Sequence, residues 1–548
     1  MKTRHFDRHS LGLLCLPALL PPLGVSAALF DRVVETKYGP VQGVAAFSSA
    51  PVGNISGWQN VGVWKGVPYA ATTAGANRWR PPQDPVSWTE TLDTSVFGPA
   101  CPESQGDSAT VSEDCLNLNI WSNANSTDDK LPVIMWAHPA GSAGSDALFD
   151  GGGMAAKGVV FVTINYRDGA FGWLAHPQLS AEVYHETGSN SSGNWGMLDQ
   201  FAALKWIQAN IAAFGGDPEL ITTAGQSAGS AAAYHIVNSP LVKGIPKRAI
   251  AESGVRDPRD PEAGSLAESY NNLTTAYVLG EAFLTANGAT TITELRAIPL
   301  AELNDTASAP GSGGGFRATL DYYAMPATYA TSLSRPPTND IPFITGNTKD
   351  ESGASTTTNL TVAQYVADMQ AQYGPFNLSA VALDLYPAVN ASEADASYNQ
   401  HWQDTSRVSS WGYARGWYLG GAKSPIYTYF WDHAPPGQTQ GAYHESEINY
   451  VLNNLYATDK PWEALDYAIA AKMSAYWANF AATGDPNLGG YYSPGDSNGN
   501  GEPLVTWNPT LGNKTITMRL GDGWAPIPIA EPAQIAFLDE YFSDQIPY

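Results

Sequence analysis

The sequence is poor in positive charge and in charge overall. Only 15% of its 548 residues are charged, and 28 Lys and Arg stand against 52 Asp and Glu, so the formal net charge is −24. An excess of negative charge this large argues against nucleic acid and anionic membrane surfaces as partners. The hydrophobic fraction of 43% in a chain of this length predicts instead a large buried core and a folded globular protein.

Long hydrophobic runs are also scarce, and the clearest one lies at the N-terminus. Residues 1–27 combine a basic head, an apolar stretch from Leu11 and small residues at positions 25–27, which is the pattern of a secretory signal peptide. Prolines interrupt the stretch, and it is too short to span a bilayer. We therefore expect a secreted protein without a membrane anchor, whose residues 28–548 form a single domain.

Cysteine is scarcer still, with three residues in the chain. One lies in the predicted signal peptide, so Cys101 and Cys115 remain as an even pair in an oxidising compartment. We expect one disulfide that closes a short loop and stabilises the fold by roughly 3 kcal/mol on the loop-entropy model. Sequons of the N-x-S/T type are compatible with glycosylation there. They lie at Asn54, Asn125, Asn190, Asn272, Asn304, Asn359, Asn377, Asn390 and Asn513.

Apolar runs of β type alternate with helical segments along the chain. The runs are Val133–Trp136, Gly158–Asn165, Leu220–Ala224, Arg248–Ala251, Ile341–Thr345 and Ile426–Trp431. This alternation predicts an α/β protein with a large, mostly parallel central sheet and helices on both faces. One helix shows a core-facing stripe with spacings of three and four: Met197, Phe201, Leu204, Ile207, Ile211 and Phe214.

A candidate nucleophile lies in the segment Gly225-Gln226-Ser227-Ala228-Gly229, between an apolar strand and an Ala-rich helix. A G-x-S-x-G motif needs this context, because a sharp turn holds the serine out and the glycines leave room for crossing backbone. The serine then sits at a helix N-terminus, where developing negative charge is favoured.

A serine hydroxyl needs a base to accept its proton and an acid to orient that base. His401, His433 and His444 are the histidines that follow the candidate helix, and position in a loop favours His444 modestly. Asp350 and Glu351 follow an apolar run, in an order of serine, acid and histidine that is known for sheets of this class. The residues alone leave the acid and the base open.

Several ordered segments together resemble a known family. They are WKGVPYA, EDCLNLNIW, VTINYRDGAFGWL, NWGMLDQFAALKWIQANIAAFGGDPELITTAGQSAG, AIAESG, GNTKDESG and GAYHESEINYV. Over essentially all of residues 30–548 the chain resembles the type B carboxylesterases, the cholinesterase and fungal lipase family of the α/β-hydrolase fold. The resemblance implies hydrolysis of small carboxylic esters without a metal or cofactor.

By position, the resemblance makes Ser227 the nucleophile, Glu351 the acid and His444 the base. It matches Cys101 and Cys115 to the family's first disulfide. Gln226 replaces a glutamate that many relatives have before the serine. Further polar side chains beside the histidine are implied at Ser253, Glu447 and, where the match is poor, Asp404.

The family's oxyanion loop is glycine-rich, but here the aligned residues are His138, Pro139, Ala140 and Gly141. An oxyanion needs N–H donors, and proline has none. By alignment the donors are Ala140, Gly141 and Ala228, and all three keep an amide. We expect an intact but narrowed oxyanion hole, the alternative being a remodelled loop that has lost hydrolysis.

The short segment between Cys101 and Cys115 leaves little chain for a lid, which favours dissolved esters over lipid surfaces as substrates. Two other functions remain open. One is a non-hydrolytic binding or adhesion protein of the same fold. The other is an enzyme of secondary metabolism that uses the pocket for transacylation or another conversion. The sequence contains no cluster with zinc spacing and no phosphate loop, and it does not fix the oligomeric state.

Overall fold

The computed structural model describes residues 1, 28–53, 55–104, 106–107, 110–264, 269–303, 315–492 and 503–548. The predicted signal peptide, and the sequons at Asn54 and Asn304, lie outside the described residues. The strands are β1 Val34–Glu35, β2 Pro40–Gln42, β3 Val44–Ala45, β4 Gly62–Pro68, β5 Leu92–Asp93, β6 Asn117–Ser122, β7 Leu131–Ala137, β8 Val160–Ile164, β9 Gly216–Gln226, β10 Arg248–Glu252, β11 Asn271–Asn272, β12 Thr319–Leu320, β13 Phe343–Thr348, β14 Ile426–Trp431, β15 Ile516–Leu520 and β16 Ala525–Pro528. The α-helices are α1 Gly152–Ala156, α2 Gly169–Trp173, α3 Pro177–Thr187, α4 Trp195–Asn210, α5 Ala228–Asn238, α6 Leu273–Ala286, α7 Ile292–Ala297, α8 Tyr329–Leu333, α9 Val362–Tyr373, α10 Ser379–Leu385, α11 Ala391–Leu419, α12 Ile448–Val451, α13 Ala464–Thr483 and α14 Pro532–Ser543.

One large sheet organises the chain, with the strand order β16-β15-β14-β13-β10-β9-β7-β8-β6-β4-β3. The strands from β15 to β8 in this order run parallel. The strands at the two ends, β16 on one side and β6, β4 and β3 on the other, pair antiparallel. The sequence prediction of an α/β fold with a large, mostly parallel sheet is confirmed.

Helices cover both faces of the sheet, which explains why its central strands β8, β10, β13 and β14 are buried along their whole length. On β7, Val133 and Met135 belong to the core cluster that contains residues of α4, whereas Ile134 and Trp136 belong to the cluster that contains residues of α13. Successive side chains of a strand point to opposite faces, so α4 and α13 pack on opposite sides. The stripe predicted for α4 and the 3₁₀ turn after it is buried throughout.

The carboxyl ends of the parallel strands meet at one edge of the sheet, where such folds form their sites. Ser227 follows β9, Ser253 follows β10 and Glu351 follows β13. The segment with Ala140 follows β7, and His444 lies between β14 and α12. Among the described residues, no helix is both long and apolar enough to cross a membrane.

Candidate active site

The backbone turns sharply at Ser227, between β9 and α5. Ser227 has φ 54° and ψ −117°, a conformation that costs energy for any residue with a side chain. Its amide donates to the Glu252 carbonyl oxygen over 2.9 Å. A Cβ on Gly229 would lie 1.9 Å from the Ala137 oxygen, and one on Gly225 would lie 2.5 Å from the same atom. Both glycines of the motif are therefore required by the closeness of β7.

His444 and Glu351 form a short pair beside this turn. Nδ1 of His444 lies 2.5 Å from Oε2 of Glu351, and the other carboxylate oxygen accepts from the Thr348 amide over 2.8 Å. Glu351 is buried, whereas 40% of the His444 side chain is exposed. Since Nδ1 donates to the carboxylate, Nε2 of the neutral ring carries the lone pair that can accept a proton.

The pair shifts the pKa of both members. Burial alone would raise the pKa of Glu351, but the hydrogen bond and charge of His444, with help from Arg256 and the Thr348 amide, bring it below the ordinary value. Burial opposes the charge on His444, yet the bond to Glu351 and the negative charges of Glu351, Glu447 and Glu445 raise its pKa to about 9. The acidic groups around His444 thus favour its charged, imidazolium form.

Gln226 brings the turn and the histidine together. Its amide nitrogen lies 3.1 Å from Nε2 and 3.3 Å from Nδ1 of His444. Since the two distances are nearly equal, the amide lies against the ring and is not directed at one nitrogen alone. Within the described residues the Ser227 hydroxyl makes no hydrogen bond with His444, and such contacts are often long in an enzyme without substrate.

Three backbone amides are available beside the turn. In the part of the chain that the structure describes, the N–H groups of Ala140, Gly141 and Ala228 donate no hydrogen bond. Ala140 and Ala228 line the same cavity, of about 150 Å³. Gly141 has φ +76°, which favours glycine at this position.

The loop between the cysteines is fastened to the segment that carries these amides. Cys101 and Cys115 form a disulfide with their Cα atoms 5.0 Å apart. The Ser104 hydroxyl donates to the Ser142 oxygen over 2.5 Å, and the Gly106 amide donates to the Gly141 oxygen over 2.9 Å. The disulfide loop therefore braces the loop after β7. Sequence reasoning missed this contact, because no local pattern signals it.

His138 is part of this loop through its backbone and ring packing. Its ring stacks on Tyr166 at 4.3 Å between centroids, and Nδ1 lies 2.8 Å from the Pro139 oxygen. Burial lowers the pKa of His138 to about 4, so the ring is neutral at ordinary pH. The Tyr166 hydroxyl donates to the His138 carbonyl oxygen over 2.6 Å, which fixes the start of the loop.

The other candidate histidines make contacts elsewhere. His433 lies between two carboxylates, with Nε2 at 2.9 Å from Asp466 and Nδ1 at 2.6 Å from Asp522. His401 is buried against the Tyr373 hydroxyl. Both rings are therefore occupied by structural partners, and neither takes the place that His444 has beside Gln226.

The other candidate carboxylates also have different partners. Asp350 accepts from the Ala442 amide over 2.7 Å and thereby holds the chain just before His444. Asp404, on α11, pairs with Arg407 and accepts from the Tyr386 hydroxyl. The structure thus places Asp404 in a separate ion pair and not beside the histidine, which corrects its assignment to the polar group around His444.

Comparisons with known proteins identify the family of this chain. Residues 31–525 match the sequence model described as the carboxylesterase family. The chain belongs to the carboxylesterase family. It is 33% identical to a fumonisin B1 esterase of Sphingopyxis macrogoltabida over 493 residues, covering 83% of each chain. It is 30% identical to a para-nitrobenzyl esterase of Bacillus subtilis, covering 83% of this chain and 91% of that one.

Solved structures support the same assignment. The crystal structure of a Geobacillus stearothermophilus carboxylesterase at pH 6.2 superposes with a TM-score of 0.71 at 29% identity, and the match covers 92% of this chain and 99% of that one. The protein is thus a carboxylic ester hydrolase with the α/β-hydrolase fold, and its substrate is a small-molecule ester. Among the described residues of this carboxylesterase, no group of His, Cys, Asp and Glu is arranged to hold a metal ion.

Buried carboxyl groups lie behind the histidine of the carboxylesterase. Glu447 and Glu252 are 0% exposed, and neither oxygen of Glu447 has a hydrogen-bond partner within the described residues. Burial and the neighbouring Glu252 and Glu351 raise the pKa of Glu447 well above its ordinary value. Burial raises the pKa of Glu252 to about 8, against the hydrogen bond from Trp477. At neutral pH the two groups therefore retain at least one proton.

Ser253 lies beside this group at the end of β10. Its φ is 52°, its amide donates to the Gly346 oxygen over 2.9 Å, and its hydroxyl has no partner among the described residues. Sequence reasoning named Ser253 and Glu447 but missed Glu252. The signal was available, because Glu252 directly precedes Ser253 in the segment AIAESG.

Proposed function

We propose that this carboxylesterase cleaves esters through an acyl-enzyme on Ser227, with His444 as the base and Glu351 as the acid that orients it. The observation that carries the proposal is the 2.5 Å contact between Nδ1 of His444 and Oε2 of Glu351, with the ring held over Gln226, the chain neighbour of Ser227. A nucleophile, a base and an orienting acid arranged in this order define the serine hydrolase mechanism.

In the first half-reaction the Ser227 oxygen attacks the ester carbonyl while Nε2 of His444 takes the hydroxyl proton. His444 then gives this proton to the alcohol as the carbon–oxygen bond breaks. In the second half-reaction water attacks the acyl-enzyme, His444 takes a proton from it, and the carboxylic acid leaves as Ser227 recovers its proton. Glu351 stays ionised throughout and stabilises the imidazolium.

The tetrahedral intermediates carry an oxyanion, which we place at the amides of Ala140, Gly141 and Ala228. Their free N–H groups, and the cavity that Ala140 and Ala228 share, support this assignment. Each such donor contributes roughly 3 kcal/mol to the stability of the transition state. Pro139 has no N–H, but it does not interrupt the set, because the three proposed donors are at other positions.

We assign soluble esters as the substrates. The disulfide loop is short and forms hydrogen bonds with Ser142 and Gly141. It therefore has no long free segment that could cover the site as a lid. The rate of hydrolysis of tributyrin should follow a simple saturation curve across its solubility limit. A sharp rise at the limit would contradict this assignment.

Secretion and glycosylation form a separate part of the proposal. The predicted leader would be removed after Ala27, and all seven described sequons are exposed. N-terminal sequencing of the protein secreted by its own host should begin at Ala28, and treatment with an endoglycosidase should reduce its mass. An intact leader on the mature protein would contradict secretion by this route.

The triad is tested by the hydrolysis of 4-nitrophenyl butyrate and by labelling with a fluorophosphonate probe. Wild-type protein should turn over the ester and carry the label on Ser227, and Ser227→Ala should lose both. The conservative variant Ser230→Ala, one turn further along α5, should keep both. A wild-type protein that binds esters without turnover or labelling would instead be a non-hydrolytic binding protein.

A further inference from the structure

One end of the cavity beside the oxyanion amides is polar, although the helix that forms its wall is rich in alanine. Ala228, Ala231 and Ala232 of α5 line the cavity, and His235 lines it one turn further on. These positions fall at intervals of three and four residues and so share one face of the helix. Small side chains leave space near Ser227, and the first large polar group along this face is an imidazole.

His235 has no hydrogen-bond partner among the described residues, although only 4% of it is exposed. Burial lowers its pKa to about 4, and no neighbouring charge contributes to the shift. The neutral ring offers one N–H donor and one nitrogen acceptor. A ring that lines a cavity and has no protein partner is available to hydrogen-bond a bound molecule.

Gln200 of α4 lines the same cavity. It is 2% exposed, and its buried side-chain oxygen has no hydrogen-bond partner among the described residues. The other polar groups of the wall do have partners. Tyr166 donates to the His138 oxygen, and one oxygen of Asp168 accepts from Trp173 and Gly169. The cavity thus holds two unsatisfied, uncharged side chains on two different helices.

We propose that His235 and Gln200 select esters whose acyl or alcohol chain carries a hydroxyl group. This inference rests on the proposed function, since Ala228 and Ala140 would bind the oxyanion at the mouth of the same cavity. With a rise of 1.5 Å per residue, His235 lies roughly 10 Å along the helix from Ala228. Its side chain leans back toward the helix N-terminus, so the group it recognises is a short chain away from the scissile carbonyl.

A hydroxyl fits the two side chains better than a charged group. It donates one hydrogen bond and accepts others, so it can satisfy the amide and the imidazole together. Asp168 and Arg317 line the cavity with opposite charges, and Arg317 donates to the Ser269 hydroxyl. Because charges of both signs line the wall, a carboxylate would be repelled by Asp168 as well as attracted by Arg317, and an ammonium group the reverse, so the wall favours neither charged group. A plain alkyl chain would leave both polar side chains unsatisfied.

The test compares esters of matched length. On the acyl side the probes are the 4-nitrophenyl esters of 6-hydroxyhexanoate and heptanoate, with the monoester of adipate as the anionic probe. On the alcohol side they are 6-hydroxyhexyl and heptyl butyrate, followed in a pH-stat. The side on which the hydroxyl matters identifies which part of the ester occupies the cavity.

The measured quantity is the kcat/KM of the hydroxy ester divided by the kcat/KM of the alkyl ester. We expect this ratio to fall at least about tenfold in His235→Phe and in Gln200→Met, because sites built to hydrogen-bond a hydroxyl reject analogues that lack it. Turnover of the alkyl ester should persist in both variants. His235→Gln, which keeps a donor and an acceptor, should restore part of the ratio. His185→Phe, at an exposed position on α3, is the matched control and should leave the ratio unchanged.

The inference is overturned if His235→Phe keeps the wild-type ratio while it turns over the alkyl ester, or if wild-type protein prefers the adipate monoester. If a variant fails to fold, the ratio measured for wild-type protein still decides. A hydroxy-to-alkyl ratio below about 0.1 for both the acyl and the alcohol probes describes an apolar pocket and overturns the inference. Failure of the proposed function would look different. In that case even heptanoate would not be hydrolysed, or Ser227→Ala would hydrolyse it equally well.

Discussion

The side-chain amide of Gln226 lies over the ring of His444, 3.1 Å from Nε2 and 3.3 Å from Nδ1. The residue before the proposed nucleophile therefore touches the proposed base, and its charge should affect proton transfer. We expect Gln226→Glu to raise the pKa of His444, since a carboxylate against the ring favours the imidazolium. The acid limb of the kcat/KM profile for 4-nitrophenyl butyrate should move to higher pH.

Gln226→Leu is the matched uncharged variant for this prediction. It removes the amide contact but adds no charge, so it should leave the limb within a few tenths of a pH unit and lower kcat by roughly tenfold through a less constrained ring. Equal profiles for wild-type protein and Gln226→Glu would mean that the contact has no electrostatic role.

The carboxyl groups around His444 predict the position of the acid limb in the pH profile of wild-type kcat/KM. Glu351, Glu447 and Glu445 raise the pKa of His444 to about 9, against the effect of burial. Only the neutral ring can accept the proton of Ser227, so activity should increase with pH as the imidazolium is lost. The acid limb should lie above the ordinary histidine value of 6.5.

Glu445→Gln tests the cause of that shift without altering the proposed triad. Removal of one nearby carboxylate should lower the pKa of His444 and move the acid limb to lower pH. Glu186→Gln, exposed on α3, removes the same charge at a distant position and should leave the limb unchanged. A limb near 6.5 in wild-type protein would show that the acidic groups do not act on the ring as described.

The contact between the disulfide loop and the oxyanion loop predicts an effect on catalysis as well as on stability. Cys101→Ser with Cys115→Ser should lower the free energy of unfolding by roughly 3 kcal/mol. Ser104→Ala should cost about 1 kcal/mol, because the Ser142 oxygen loses its donor. Since the loop after β7 carries the proposed oxyanion amides, both variants should lower kcat more than they raise KM.

Chemical denaturation and steady-state kinetics on the same samples separate the two effects. Ser95→Ala is a suitable control, because Ser95 is half-buried and its hydrogen bonds are with Asp93, not with the loop after β7. If the cysteine variant loses stability but keeps the wild-type kcat at a temperature where it is folded, the bracing role is refuted.

Most of the parallel centre of the fold could be predicted because its strands contain apolar runs, whereas β15, which also pairs in parallel, was not predicted. The six predicted runs correspond to β7, β8, β9, β10, β13 and β14, and the run at Ile426–Trp431 matches β14 over its full length. The antiparallel end was not predicted. On β6, Asn119 is buried and donates to the Gly144 oxygen and the Thr163 hydroxyl. A polar residue satisfied by distant partners breaks the apolar pattern on which the prediction depends.

The site shows the same division between local and distant determinants. Ser227 could be identified because strand, turn and helix are contiguous in the sequence. The choice of Glu351 over Asp350 and of His444 over His433 depended on a family resemblance, since spacing alone left both pairs open. The contacts of Gln226 with His444 and of Ser104 with Ser142 arise only when distant segments pack together, so no local pattern could have indicated them.

His433 predicts a pH dependence of stability that is separate from catalysis. Burial opposes its charge, but the hydrogen bonds and charges of Asp466 and Asp522 raise its pKa above the ordinary value. A raised pKa in the folded state stabilises the protein fully below the unfolded value of 6.5 and ceases to do so as the pH rises through the folded value. His433→Gln should therefore reduce stability most at pH 5 to 6, by about 1–2 kcal/mol, and less at pH 9. Urea denaturation across this pH range measures the difference, with His185→Gln as the exposed control. A loss of unfolding free energy that is the same at all pH values would contradict a stabilising role of the ion pairs.

Gly141 offers a test of the oxyanion loop in which strain and crowding are separated. Its φ is +76°, and a Cβ at this position would meet no atom within 4 Å. Gly141→Ala therefore adds no steric contact in the free protein and acts only through the backbone conformation, at a cost of about 1 kcal/mol or more. If the amide of Gly141 binds the oxyanion, any rotation that relieves the strain turns the donor away, and kcat should fall by about ten- to a hundredfold with little change in KM.

Gly188→Ala places the same strain at an exposed helix end with φ +72° and should lower stability without lowering kcat. Equal kcat values for Gly141→Ala and wild-type protein would remove this amide from the proposed oxyanion hole and leave Ala140 and Ala228 as its donors.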